Sequence, residues 1–213
     1  MKTDELIALL ASGAAVESGP SVIRRVGIAT AVGFTAAVAL TLVLLGLNPA
    51  LARTAGAAGF WVKEAYCLSL AVAGVLAALR LSRPGARLRR VPFVVSAIVV
   101  AMALYAARQL SGAPPAERLG LVLGQSARVC SLRIALLASP VFVALLIAVR
   151  GLAPTRLRFA GGAAGFASGA LGALAYSLHC PEVAAPFVAT WYLLGIALPA
   201  LAGALLGPRI LRW

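Results

Sequence analysis

The stretch from Val26 to Leu47, VGIATAVGFTAAVALTLVLLGL, holds no charged residue over 22 positions. A bilayer core about 30 Å thick takes roughly 20 mainly apolar residues in a helix, because lipid offers no partner to a free backbone amide. The stretch therefore reads as a membrane-spanning helix. Five similar runs follow, bounded by charge, Pro or Gly: Ala65 to Leu81, Pro92 to Ala107, Leu132 to Val149, Phe159 to Leu178 and Phe187 to Leu206. The expected fold is an all-α integral membrane bundle of six transmembrane helices. Gly161, Gly165, Gly169 and Gly172 give the fifth run a face of small residues, which predicts close packing against neighbouring helices. Pro140 and Pro199 fall inside runs and predict kinks there.

Composition points the same way. The chain is 62% hydrophobic and 12% charged, with a mean hydropathy of +0.99, whereas soluble domains are near half apolar and about a quarter charged. Nineteen basic residues against six acidic ones give a net charge of +13. In a soluble protein that excess would suggest a nucleic-acid partner. In a membrane protein it marks the loops that stay in the cytoplasm against anionic lipid heads, so no direct nucleic-acid contact is expected. Summed over alternate loops, one side holds 13 Lys and Arg, among them Arg24, Arg25, Arg83, Arg87, Arg89, Arg90, Arg156 and Arg158, and the other side holds 6. The richer side should be cytoplasmic, placing both termini inside a bacterial inner membrane. The chain then divides into a cytoplasmic N-terminal segment, 1–25, and a transmembrane domain, 26–213. The charged start, Met1-Lys2-Thr3-Asp4-Glu5, does not read as a secretory signal, so the first span should be retained.

That N-terminal segment carries its own pattern. Thr3 can cap a helix whose first turn places Asp4 and Glu5 at the positive dipole end, and Leu6, Leu9 and Leu10 share one face, with Ile7 beside them. A helix of about ten residues is marginal alone in water. Its apolar stripe needs cover from the bilayer, from the protein's own helices or from a cytosolic partner.

Topology also sorts the three cysteines. Cys130 precedes the fourth span and Cys180 follows the fifth, so both should lie at the periplasmic surface, while Cys67 opens the second span. Periplasmic thiols either pair or are kept for reactivity, although a free Cys also serves as a small buried apolar residue. The segment His179-Cys180-Pro181-Glu182 holds the only histidine of the chain. Together Cys130, Cys180 and His179 could hold a metal transiently, but the spacing matches no structural zinc pattern, and no resident cofactor is expected. A helix-ending turn at Pro181 with Glu182 facing water is the plainer alternative. Arg128, Arg133 and His179 could favour thiolate at Cys130 and Cys180, with Glu182 as a further accessory. Lys63 and Glu64, at the edge of the second span, read as a snorkelling side chain or a local ion pair. No GxSxG, HExxH, Walker or dinucleotide motif is present, so enzymatic activity is not expected.

The start Met1-Lys2-Thr3-Asp4-Glu5-Leu6-Ile7, the basic loop after the second span, Cys130, His179-Cys180-Pro181-Glu182 and Trp191-Tyr192-Leu193 together resemble the NrsF family over the whole length. Those are six-span inner-membrane anti-sigma factors acting on an extracytoplasmic-function sigma factor of the sigma-F type. The resemblance implies sequestration of the sigma factor at the membrane, release under oxidative or heavy-metal stress, and Cys130 and Cys180 as the sensing thiols. Cys67 stands outside that pattern. Residues Thr3 to Ile7 with Leu9 and Leu10 would then bind the partner, aided by the loop from Arg83 to Arg90. Two rivals from other classes are a thiol oxidoreductase coupled to quinone, which the missing CxxC disfavours, and a small transporter, which charge-free span interiors disfavour.

Overall fold

The structure is a computed structural model that describes residues 3, 5, 7, 20–83, 85 and 90–212. Among them there is no strand. The helices are α1 (Pro20–Leu44), α2 (Leu51–Ala55), α3 (Ala58–Leu81), α4 (Val91–Gly112), α5 (Pro115–Leu123), α6 (Ala127–Arg150), α7 (Leu157–Ser177), α8 (Ala185–Phe187) and α9 (Leu193–Ile210), with a π-helical turn, Val188–Tyr192, joining the last two. Among the described residues six segments are long and apolar enough to cross a membrane, and each overlaps one of the six runs of the sequence. α1 starts before Val26 and α3 starts before Ala65, at Ala58, which takes Lys63 and Glu64 into the helix. Helical geometry continues through Pro140 and Pro199. The last span also holds the π turn, Val188–Tyr192.

The fifth segment has the lowest mean hydropathy of the six, 1.2, yet is the most buried, with 72% of its most apolar stretch inside the bundle. Its small residues explain both values. α7 stands at the centre and packs against α9, α3, α6 and α1. A side chain at Gly74 would come within 2.7 Å of the Ala167 backbone, and one at Gly172 within 2.8 Å of Ala138, so the helices meet nearly backbone to backbone. By contrast α4 fully buries only Met102 and Ala106, and Phe93, Val94, Val100 and Leu104 face outward, as a helix bathed in lipid requires.

Contacts between loops define the two ends of the bundle. Arg25 donates to the Gly151 carbonyl (3.4 Å), which joins the start of α1 to the end of α6, beside Arg150, Arg156 and Arg158. At the opposite end the Asn48 amide donates to the Leu178 carbonyl (3.1 Å), joining the end of α1 to the end of α7. The N-terminal reading falls mostly outside the described residues. Thr3, Glu5 and Ile7 have helical backbone and are exposed; Asp4, Leu6, Leu9, Leu10 and, in the basic loop, Arg87 and Arg89 lie beyond description.

Candidate functional site: a buried thiol cluster around Lys63

The cysteines meet at the end of the bundle opposite the basic loops. Cys130 sits one turn into α6, Cys180 in the turn after α7, and Cys67 in α3; all three are free thiols and all are buried. Sequence placed Cys130 and Cys180 at the surface, but they are 0% and 2% exposed. The cause is the last helix. α8 and the π turn fold over this end: Tyr192, fully buried, approaches the Cys180 sulfur, and the fully buried Phe187 packs on the Tyr192 ring. Trp191 anchors that cover by donating to the Val122 carbonyl of α5 (2.9 Å), while its own carbonyl accepts from Ser131 (2.8 Å). A π turn shifts backbone groups off the helical ladder, and such turns recur at functional sites.

Cys130 and Cys180 interact directly. The Cys130 thiol donates toward the Cys180 sulfur, and Ser126 Oγ lies 3.9 Å from the same sulfur. That hydrogen bond, followed by the Lys63 ammonium, pulls the Cys180 thiol down to about 6 against the cost of burial. The Tyr192 hydroxyl also approaches this sulfur without completing a hydrogen bond of good geometry. Thiolate is the nucleophilic form of cysteine, so of the two thiols Cys180 is the one prepared to react.

Lys63 is the part of the site that sequence reading missed. It neither snorkels nor pairs at the surface. Its side chain is 0% exposed, and Nζ donates to the carbonyls of Cys180 (3.2 Å) and Glu182 (3.1 Å). The Phe60 and Tyr192 rings lie 5.3 Å and 5.8 Å from Nζ. The available signal was a lone lysine one helical turn before Cys67, which puts both on the same face of α3.

The remaining residues divide clearly. Glu182 does not simply face water: Oε1 accepts from the Gln125 amide (2.7 Å) and so pins the turn after α7 to the turn before α6. Gly124 makes room for it with φ of +51°, and a side chain there would meet the Glu182 carboxylate at 2.7 Å. His179 turns away from the thiols. Nδ1 donates to the Gly46 carbonyl (3.2 Å) and Nε2 accepts from Arg133 (3.5 Å), the neutral tautomer that a carbonyl on one side and a guanidinium on the other require. With both nitrogens engaged it cannot join Cys130 and Cys180 around an ion, and among the described residues no three His, Cys, Asp or Glu side chains are placed to hold one. Arg128 is exposed at the start of α6, and Arg133 serves His179 rather than the sulfurs.

The NrsF family, described as negative regulator of sigma F, matches residues 10–213. A probable anti-sigma-F factor NrsF from Azospira oryzae is 45% identical over 213 residues, and the anti-sigma-F factor NrsF of Caulobacter vibrioides is 40% identical over 214. Both alignments cover 100% of either chain. No solved structure matches.

Proposed function

Because the chain belongs to the NrsF family of negative regulators of sigma F, whose role is regulatory and not enzymatic, we propose that it is a multi-pass inner-membrane anti-sigma factor. In its reduced form it holds an extracytoplasmic-function sigma factor of the sigma-F type away from RNA polymerase. The basic end of the bundle is cytoplasmic, following the positive-inside rule, and the thiol end is periplasmic. The partner is held by the N-terminal segment, with Thr3, Asp4 and Glu5 opening a helix and Leu6, Ile7, Leu9 and Leu10 supplying its apolar face. Oxidation or metal capture at Cys130 and Cys180 releases it.

The observation that carries the reading is the direct interaction of Cys130 with Cys180 in a chain similar over its full length to anti-sigma-F factors. Sequence separates the two sulfurs by fifty positions and folding brings them together; in the periplasm, where this reading puts that end of the bundle, disulfides persist.

Leu6→Asp and Leu9→Asp test the binding half. A charge in an apolar seam leaves it buried and unpaired, at a cost of several kcal/mol. Recovery of the sigma factor with affinity-purified protein should fall more than tenfold in each variant, while the six-helix domain stays intact. Equal recovery from wild type and both variants would remove the N-terminal helix from the account.

A further inference from the structure

We propose that Lys63 is a positioning residue for the thiol pair: its buried ammonium ties the turn 180–182 to α3 and makes Cys180 the thiol that attacks an oxidant, leaving Cys130 to resolve the product. The inference rests on the sensing role proposed above for the same two cysteines, and it adds a residue and an order of events to it.

Geometry supports the assignment in two ways. First, Nζ bridges two carbonyls of the segment that carries Cys180, at 3.2 Å and 3.1 Å, so the sulfur's position depends on α3 as much as on its own turn. Second, a fully buried cation needs an opposite charge nearby. The groups around Cys180 are Lys63, Glu64 and Cys67 from α3, Cys130 and Arg133 from α6, Tyr176, His179 and Glu182 from α7 and the turn after it, and Tyr192 from the π turn. Arg133 is committed to His179, and Glu182 to the Gln125 amide. Lys63 is thus the cation left to face the sulfurs, and beside the Glu64 carboxylate next to it on α3 a thiolate at Cys180 answers its charge. The Cys130 thiol, donating to that sulfur, already stands where a resolving thiol must be.

With a hydroperoxide as oxidant the step balances. The Cys180 thiolate attacks the terminal peroxide oxygen, the O–O bond breaks, and one proton taken up from solvent lets the leaving oxygen depart as water, or as an alcohol from an organic peroxide. Cys180 becomes a sulfenic acid. The Cys130 sulfur then attacks the Cys180 sulfur, its thiol proton and the sulfenic hydroxyl leave together as water, and a disulfide remains. Two thiol sulfurs are oxidised by two electrons and one peroxide is reduced.

The test measures iodoacetamide alkylation of Cys180 against pH in the full-length protein in detergent, quantified by peptide mass spectrometry, for wild type, Lys63→Arg, Lys63→Gln and Lys63→Met. Wild type should show a midpoint near 6, Lys63→Arg should stay close to it, and the two neutral variants should move upward by a unit or more, a drop of about fivefold or more in rate at pH 6. Gln keeps two N–H donors without the charge, so a shift there reports the charge rather than the tether. An unchanged midpoint in Lys63→Gln would overturn the proposal. So would a wild-type midpoint at the ordinary thiol value, a measurement that needs no variant to fold. Dimedone trapping after peroxide gives the order of events: sulfenic acid should accumulate on Cys180 in Cys130→Ser and not on Cys130 in Cys180→Ser, and the reverse pattern would refute it. None of these readouts involves a sigma factor, so failure of the sensing role and failure of the Lys63 assignment remain distinguishable.

Discussion

Gly165→Ala should lower the thermal stability of the detergent-solubilised protein by roughly 10 °C or prevent its accumulation, whereas Gly162→Ala, three positions earlier on the same helix, should be nearly silent. The contrast follows from what a single Cβ would meet. At Gly165 it would overlap the Pro199 carbonyl of α9, and at Gly161 the Gly203 carbonyl, while Gly169 offers only 2.7 Å to the Ile196 carbonyl. At Gly162 the nearest atom is 3.5 Å away, an ordinary van der Waals contact. Overpacking a well-filled core costs about 1–3 kcal/mol when side chains can adjust. Here the obstacle is backbone on the facing helix, so α7 and α9 must separate, and the loss lies at or beyond the top of that range. Association of helices in lipid depends on such close contact, because burying apolar surface gains little where the solvent is itself apolar. Thermal unfolding followed by fluorescence-detected size exclusion distinguishes the two variants. Equal stability would mean that α7 and α9 do not meet along this face.

Cys130→Ser and Cys180→Ser should each leave the target regulon unresponsive to peroxide or cadmium, with repression retained. Serine nearly preserves the volume of cysteine and can hydrogen-bond at the same position, so each substitution should leave the fold intact while removing the chemistry. Both thiols are required because a bridge needs two sulfurs. Driving a partner from mostly bound to mostly free takes about 5.5 kcal/mol of differential stability, and thiol–disulfide chemistry reaches this range at about 1.4 kcal/mol per 30 mV. Cys67→Ala should keep the response, since Cys67 lies on α3 in the same cluster but outside the interacting pair. Reporter expression across a peroxide titration gives the answer, and a normal response in either serine variant would end the sensing role of that thiol.

The reach of sequence reading here has a physical boundary. Six spans were legible because lipid imposes length and polarity on every crossing segment, and α7 was legible as a packing helix from the spacing of its glycines. That Cys130 and Cys180 share an end followed from alternation alone. Their burial did not, because it depends on a π turn that brings Tyr192 from the far end of the chain to the Cys180 sulfur. Lys63 was misread for a related reason. A hydropathy count ends a span at the nearest charge, so the run began at Ala65, yet the helix extends to Ala58 and the lysine finds its partners 117 and 119 positions away. His179 looked like a metal ligand by residue type; the Gly46 carbonyl and Arg133 decide its orientation instead.

α3 deserves mention as a physical link between the ends, since its 24 residues span about 36 Å at 1.5 Å per residue and carry Lys63 near one end and Arg80 near the other. Gly74 holds it against α7 through near-backbone contact, which favours movement of the pair as one body. A signal crosses only if both ends bias the same two-state element, and α3 is in contact with the thiol site while leading directly into the basic loop.

On the proposed function, the redox state of one pair of sulfurs governs a protein held at the opposite face. This dependence is tested most directly by purifying the wild-type protein with its sigma factor from native membranes, before and after peroxide, and quantifying both the retained partner and the Cys130–Cys180 bridge by mass spectrometry. The partner should be retained with free thiols and lost in proportion to bridging. Full retention on a fully bridged protein would contradict it.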